Sequence, residues 1–203
     1  MLKELYRQEA ERIAALGAYI EGDKANPVFG EGKAERPVIM FIGEAPGREE
    51  AASGRPFVGK AGKQLDAMLE LAGIDRGLVF VTNSVKYRPT KTKNGRASNR
   101  TPKEGEVRAG LALLEREIEL VSPAVIATLG NVPLSALVML SGGGEKLTVG
   151  AAHGEPITLM LAGGTRRVFP LYHPAASIYN RELKPVLEKD LIRLGEFCRS
   201  IDM

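Results

Sequence analysis

Cysteine is almost absent from this chain of 203 residues, in which Cys198 is the single example. A lone cysteine excludes an internal disulfide and any metal site built from several cysteines, and it fits a reducing compartment such as the cytoplasm. Tryptophan is missing, and aromatic residues make up only 5% of the chain. That content is too low for an extended surface on which nucleic-acid bases stack.

Long apolar runs are also absent, and charged residues such as Glu4, Arg7 and Glu9 interrupt the N-terminal segment. The sequence therefore predicts neither a signal peptide nor a membrane span, and we expect a cytoplasmic protein with no membrane partner. A hydrophobic content of 44% is enough for one core, and the length fits a single domain over residues 1–203. The net charge of +3 permits a polyanionic partner but does not require one.

Apolar stretches typical of strands alternate along the chain with stretches whose apolar residues recur at helical spacing. Alternation of this kind predicts an α/β fold in which helices cover both faces of a mostly parallel sheet. Ligands of such sheets bind beyond the carboxyl ends of the strands, so function is sought in the segments that follow the strands. We predict strands at 38–42, 78–81, 124–129 and 168–171, and helices at 2–20, 65–72, 107–121, 132–140 and 187–198.

The segment after the first predicted strand contains two glycines, a proline and several glutamates. It consists of Gly43, Glu44, Ala45, Pro46 and Gly47, followed by Arg48, Glu49 and Glu50. The glycines let a backbone approach a ligand closely, whereas the plain alternative is a tight turn with solvated carboxylates.

A second glycine-rich segment, Gly54–Lys60, has the spacing of a phosphate-binding loop and so suggests a nucleotide hydrolase. Two features argue against that interpretation. Ala61 stands where such a loop needs a hydroxyl group for magnesium, and the glycines do not directly follow a strand. Within this segment, Phe57 is either a core anchor or a surface for stacking a planar base, and the sequence leaves both open.

Asn83 and His173 stand at the ends of the second and the last predicted strands. The amide of Asn83 offers an acceptor and donors in one plane, which suits N3–H and O4 of uracil and opposes cytosine; a simple loop cap is the alternative. A neutral His173 can donate to a carbonyl oxygen that gains negative charge, although a single histidine is more often structural. His153 lies in a glycine-rich loop without such a context.

Positive charge is concentrated between the second predicted strand and the next helix, where no acidic residue occurs from 86 to 103. A charge run of this kind is usually a solvated loop, but beside a cleft it can bind DNA phosphates and make binding depend on salt. Its cationic residues are Lys86, Arg88, Lys91, Lys93, Arg96, Arg100 and Lys103.

Together, these motifs resemble those of the family 4 uracil-DNA glycosylases, and the resemblance runs from about Val28 to Leu191. It implies a three-layer α/β/α fold around a central, mostly parallel sheet of four strands. The implied reaction is excision of uracil, and of other deaminated bases, from DNA to leave an abasic site, without a metal or small-molecule cofactor; we expect a monomer. The matching segments are Gly43–Gly47, Gly54–Gly59, Thr82-Asn83 with Val85-Lys86 and Arg88-Pro89, and Tyr172-His173-Pro174-Ala175.

The resemblance also implies a role for each residue of the site. A uracil flipped out of DNA would lie on Phe57, with Asn83 reading its edge and the backbone of Gly43–Gly47 contacting its oxygen. His173 would stabilise the charge that develops on O2 of the departing base. Either Glu44 or Glu50 would stabilise the cationic sugar and position the attacking water. Better-known relatives place an aspartate at position 45, so with Ala45 that water-directing role must move or weaken.

The segment after the histidine motif is implied to enter the space that the flipped base leaves. Ala176, Ile178, Tyr179 and Arg181 are the expected DNA contacts there, with Ile178 or Tyr179 as the wedge.

One departure from that family is large. The family holds an iron–sulfur cluster with four cysteines, and the corresponding positions here are Ala15, Ala18, Tyr87 and Gly110. No such cluster forms without thiolates, so the resemblance implies a cluster-free branch with apolar packing in its place. The main alternative function is a non-catalytic member of the fold that binds DNA or a protein partner, and a nucleotide hydrolase is the third.

Overall fold

The computed structural model describes residues 1–15, 22–23, 26–143 and 147–201, except for the side chains of Asp23, Ile178 and Tyr179. The helices are α1 (Leu2–Ala15), α2 (Arg48–Ser53), α3 (Lys60–Leu71), α4 (Glu104–Val121), α5 (Asn131–Leu140), α6 (Val149–Ala152), α7 (Ala176–Tyr179) and α8 (Leu183–Ile201). The strands are β1 (Gly22–Asp23), β2 (Glu31–Gly32), β3 (Ile39–Gly43), β4 (Val79–Asn83), β5 (Arg88–Lys93), β6 (Arg96–Asn99), β7 (Val125–Leu129), β8 (Ile157–Leu161) and β9 (Gly164–Leu171).

The central sheet has six strands in the order β2-β4-β3-β7-β9-β8. The inner four, β4, β3, β7 and β9, are parallel to one another, which confirms the expected parallel core. The outer strands β2 and β8 pair antiparallel and were not predicted. Both residues of β2 are exposed, and in β8 exposed residues alternate with half-buried ones before the buried Leu161, as fits strands at the edges of a sheet.

Helices cover the two faces of this sheet, as the alternating pattern predicted. Successive side chains of a strand point to opposite faces, so Phe41 packs in one core with Leu65 of α3 and Leu191 of α8. Its neighbour Ile42 packs in the other core, with α4, α5 and α1. The molecule is therefore a three-layer α/β/α fold. Within the described ranges, no helix combines the length and apolar content required to cross a bilayer.

One predicted element has a different structure from the one expected, and part of another lies outside the described residues. The basic segment was predicted as a loop, but β5 and β6 form a hairpin, and β1 pairs with β5 to make a separate three-stranded sheet. The hairpin turns at Asn94 and Gly95, whose φ angles are 52° and 70°, as a two-residue turn between twisted strands requires. The first helix was predicted to reach residue 20; α1 ends at Ala15, and residues 16–20 lie outside the described part.

The carboxyl ends of the parallel strands lie along one edge of the sheet. There Gly43 of β3 pairs in register with Asn83 of β4, and the N–H of Gly130, which follows β7, donates to the carbonyl of Leu171 in β9 at 2.8 Å. The segments singled out from the sequence therefore converge at this edge. By contrast, Gly54–Lys60 connects α2 to α3, which is not the strand–loop–helix setting of a phosphate-binding loop.

Candidate active site

A cleft of about 530 Å³ opens at the carboxyl ends of the strands. It brings together Phe57, Asn83 and His173, three of the residues predicted to form the site. The lining residues are Ala45, Gly47–Glu50, Phe57, Gly59–Ala61, Asn83, Arg88, Ala97–Asn99, His173 and Ala175.

Gly43 allows Asn83 and Phe57 to meet at the base of the cleft. A Cβ atom at position 43 would lie 2.4 Å from Oδ1 of Asn83 and 2.7 Å from Cζ of Phe57, so any larger residue would displace one of them. The Ser84 N–H donates to the carbonyl of Gly43 at 2.9 Å and holds the two strand ends together. Asn83 is only 4% exposed, so its amide is fixed by its surroundings.

Phe57 lies in both of the environments that the sequence left open, and its role as a stacking surface for a base stays a prediction. Its ring packs against the core between the sheet and α3, and it also lines the cleft. The residue has a φ angle of 54°, which is uncommon for a residue with a side chain. In this conformation the carbonyl oxygen of Phe57 lies against Gly62. A Cβ atom at position 62 would be only 1.9 Å from that oxygen, so glycine is required there.

Glu50 joins the two loops that form one wall of the cleft. Its Oε2 accepts the N–H of Gly47 at 3.0 Å, and its Oε1 accepts the N–H groups of Val58 and Gly59 at 3.1 and 2.7 Å. Such hydrogen bonds to an ionised acceptor are among the stronger ones. Glu50 is therefore a fixed negative charge at the cleft.

Glu44, the other carboxylate predicted to act in catalysis, is not among the residues that line the cleft. Burial raises the pKa of Glu44 above its ordinary value, and a hydrogen bond with Thr101 opposes this effect. Of the two candidate carboxylates, Glu50 and not Glu44 lines the cleft together with Asn83 and His173. Ala45 and Gly47 line the cleft, whereas Pro46 between them is buried.

His173 presents one ring nitrogen to a ligand. Its Nδ1 accepts the N–H of Ala175 at 3.1 Å, so in the neutral ring the proton is on Nε2. Burial lowers the pKa of His173, although the nearby negative charge of Glu50 opposes the shift. The residue is therefore neutral at neutral pH with its proton on Nε2, and donation of that N–H to a base oxygen stays a prediction.

A family model described as the Uracil DNA glycosylase superfamily matches residues 29–193, a span that contains every segment of this cleft. The chain belongs to this superfamily. Similar proteins include two named Type-4 uracil-DNA glycosylase: that of Sulfurisphaera tokodaii, 41% identical over 86% of this chain and 76% of its own length, and that of Saccharolobus solfataricus, 41% identical over 87% and 78%. A third of the same name, from Thermotoga maritima, is 34% identical over 98% of this chain and 95% of its own.

The cationic residues of the basic segment include a group that is exposed or lines the cleft and a group that is buried. Lys91, Lys93 and Arg96 are exposed on the β5–β6 hairpin. Arg88 lines the cleft and donates through Nε to Oδ1 of Asn99 at 2.7 Å. These four residues remain candidates for contacts with DNA phosphates.

The prediction of Lys86 and Arg100 as DNA contacts is wrong. Lys86 is 2% exposed and pairs with Glu117 at 2.6 Å, so no phosphate can reach it. Arg100 is largely buried, and its guanidinium binds both oxygens of Glu106 and the carbonyl of Thr90. A run of positive charge in a sequence does not indicate which members fold back to meet buried carboxylates.

One segment of the cleft contains no residue that the sequence singled out, namely Ala97, Ser98 and Asn99 of β6. A Cβ at Gly47 would lie 3.6 Å from Nδ2 of Asn99, so the hairpin closes the side of the cleft next to the loop after β3. The Asn-Gly pair at 94–95 was the available sign of a hairpin in this basic segment.

The segment after His173 begins α7. Ser177 donates through Oγ to the carbonyl of Pro174 at 2.8 Å, which fixes the start of this helix. Ala176 is half-buried and Arg181 is exposed. The side chains of Ile178 and Tyr179 lie outside the described part, so the choice of wedge stays a prediction.

The positions where family 4 enzymes place cluster cysteines do not fit an iron–sulfur cluster. Ala15, Tyr87 and Gly110 lack thiolates, and Ala18 lies outside the described residues. A Cβ at Gly110 would lie 2.4 Å from the carbonyl oxygen of Ser84, so the backbones are already in close contact there. Within the described ranges, no three His, Cys, Asp or Glu side chains are grouped as a metal site would require.

This region combines the expected apolar packing, in which Tyr87 lies with Ile13 and Val107, with a polar network that was not expected. The Tyr87 hydroxyl donates to Glu106 at 3.1 Å, and Glu106 also accepts the N–H of Lys103 and the guanidinium of Arg100. Burial alone would raise the pKa of Glu106, but these hydrogen bonds lower it below its ordinary value. Glu106 thus connects α4 to β5 and to the segment after β6.

Replacing Glu106 should destabilise the protein because it leaves the buried Arg100 without its charge partner. We expect Glu106→Gln to lower the free energy of unfolding by about 2–4 kcal/mol in urea titrations. Glu104→Gln on the same helix, whose pair with Arg108 is exposed, should cost less than about 1 kcal/mol. Equal losses in the two variants would show that the buried network stabilises the protein no more than an exposed ion pair does.

The protonation state of His173 should determine how the rate of base excision depends on pH. Protonation places a second N–H on Nδ1, and this group faces the N–H of Ala175. The hydrogen bond that orients the imidazole ring is then lost. Since burial lowers the pKa of His173, the rate of base excision should be constant at neutral pH and decline only below about pH 6.5. The His173→Gln variant should lack this acid limb. A wild-type decline that begins above pH 7 would contradict the assignment.

Proposed function

We propose that this protein is a monofunctional uracil-DNA glycosylase, which hydrolyses the N-glycosidic bond of uracil in DNA and leaves an abasic site. One observation carries the proposal: a buried planar amide, an aromatic ring and a neutral imidazole donor line a single cleft at the strand ends. Membership of the superfamily and similarity to enzymes named Type-4 uracil-DNA glycosylase support it.

The base enters this cleft after it is extruded from the DNA stack. It lies on Phe57, and the Asn83 amide accepts from N3–H and donates to O4. Cytosine presents an acceptor at N3 and a donor at its exocyclic amine, so it leaves both amide groups without a partner. The backbone of Gly43–Gly47, of which Ala45 and Gly47 line the cleft, contacts the base oxygen.

Bond cleavage follows from the charges around this base. As the bond between C1′ and N1 breaks, its electron pair moves to uracil, and negative charge accumulates on O2, where His173 donates through Nε2–H. The sugar becomes cationic, and the fixed carboxylate of Glu50 stabilises it. Water then adds to C1′, and the proton that it releases neutralises the uracil anion. Glu44 remains a candidate for orienting that water.

DNA is held by two segments on opposite sides of the cleft. Arg88 and the exposed cations Lys91, Lys93 and Arg96 of the hairpin contact phosphates on one side. On the other side, the segment with Ala176 and Arg181 approaches the strand from which the base departs. Either Ile178 or Tyr179 fills the vacated space.

The direct test is excision from a labelled oligonucleotide that carries one uracil, followed by alkaline cleavage of abasic sites. The protein, which we propose to be a cytoplasmic monomer, should make the uracil position sensitive to alkaline cleavage, and a metal chelator should not reduce the yield of abasic sites. Oligonucleotides with hypoxanthine or xanthine define the substrate range. Tight binding of the uracil oligonucleotide without any cleavage would support the non-catalytic alternative instead.

Asn83 should control excision far more than affinity. We expect Asn83→Ala to lower the single-turnover rate by about 10²-fold or more, because the edge of the base loses its hydrogen bonds. Binding of DNA that already contains an abasic site should be nearly unchanged. Asn131→Ala is the matched control, since Asn131 also follows a strand but bonds the Val149 N–H away from the cleft. An undiminished rate in Asn83→Ala would remove this residue from recognition.

The hairpin cations should determine the salt dependence of DNA binding. Replacing Lys93 and Arg96 by glutamine should weaken binding to all sequences and reduce the slope of log K against log salt by about 2. The control pair is Lys33→Gln with Arg36→Gln, two exposed cations near the amino ends of the strands. If both pairs change the slope equally, the hairpin does not contact phosphates preferentially.

A further inference from the structure

A buried lysine beneath the cleft has no part in the reaction described above. Lys86 is 2% exposed, and its Nζ donates to Oε2 of Glu117 at 2.6 Å, to Oγ1 of Thr82 at 2.7 Å and to the backbone carbonyl of Asn83. All three N–H groups of the ammonium therefore have an acceptor.

The partner of this lysine is equally well satisfied. Glu117 is fully buried, and it accepts the hydroxyl of Thr82 at 3.1 Å and the hydroxyl of Tyr6 at 2.7 Å as well as Lys86. Removing two charges from water is costly, and a well-packed apolar pair of similar volume is often as stable. Stability alone therefore does not account for the pair, and its position in the fold suggests another role.

The Lys86–Glu117 pair lies beside the turn that follows β4, which ends at Asn83. Lys86 follows Asn83 by three residues, and its side chain folds back onto the Asn83 carbonyl, which closes the turn between them. The main chain of Lys86 is itself held, since its carbonyl accepts the N–H of Val28 at 2.6 Å. On the opposite side of this turn, Ser84 is bonded to Gly43.

We propose that Lys86 is a positioning residue, which Glu117 holds in place so that the backbone of Asn83 keeps the side-chain amide aimed into the cleft. The inference rests on the proposed function, because it assigns Lys86 an effect on base recognition through Asn83. A displacement of a recognition group by about 1 Å can lower a reaction rate by about 10²-fold. Lys86 thus acts on excision without touching the substrate.

A double-mutant cycle tests this role. Lys86→Met should lower the single-turnover rate for uracil by about 10–10²-fold, while affinity for abasic DNA is maintained. In the Asn83→Ala background, Lys86→Met should cause no further loss, because its effect passes through the Asn83 amide. Losses that multiply in the double variant would overturn the proposal, since a general structural defect acts independently of Asn83.

Tyr6→Phe is the matched control for stability. It removes a hydrogen bond to the same carboxylate but no contact with Asn83, so it should lower the melting temperature and leave the rate close to wild type. A rate loss equal to that of Lys86→Met would overturn the proposal. If Lys86→Met does not fold, Glu117→Gln takes its place in the cycle, with the same two outcomes.

The cycle also separates this inference from the proposed function. If Asn83→Ala excises uracil as fast as wild type, the recognition role of Asn83 fails, and the positioning role fails with it. If Asn83→Ala is impaired as expected but the Lys86 effect is additive, only the positioning role fails.

Discussion

The pairing of Gly43 with Asn83 at the ends of β3 and β4 is the constraint on which the site depends. It places the amide directly beside a residue without a side chain, and the ring of Phe57 enters the space that results. The same parallel register continues along both strands, and every residue of both strands is buried. The recognition groups of the cleft are therefore positioned by the ends of two fully buried strands. Groups on such elements are held more precisely than groups on loops.

Carboxylates hold together the parts of the molecule that surround this pair of strands. Glu50 binds three backbone N–H groups of the loops beside the cleft, Glu117 binds Lys86 below it, and Glu106 ties the hairpin segment to α4. In each case a single acidic side chain satisfies several donors from more than one segment of the chain. Polar networks of this kind rigidify a structure when every member is paired. The third network includes Tyr87, one of the four positions at which the family 4 resemblance implies a cluster cysteine.

The parts of this fold that the sequence predicts are those with a strong local pattern. The runs 38–42, 78–81 and 124–129 predicted three buried parallel strands, and the rule on strand ends then located Asn83. The hairpin at 88–99 was missed because exposed charged residues hide the strand pattern. The burial of Lys86 could not be predicted either, since its partner Glu117 is distant in sequence and only the packing of α4 on the sheet brings them together.

The central claim is that an extruded uracil occupies the cleft against Phe57, Asn83 and His173. A crystal structure with duplex DNA that carries one 2′-fluorinated deoxyuridine, which resists cleavage, tests it most directly. The account predicts the base stacked on Phe57, with the Asn83 amide and His173 Nε2 each within about 3 Å of its polar atoms. A base that stays stacked in the duplex, or binds elsewhere on the protein, would contradict it.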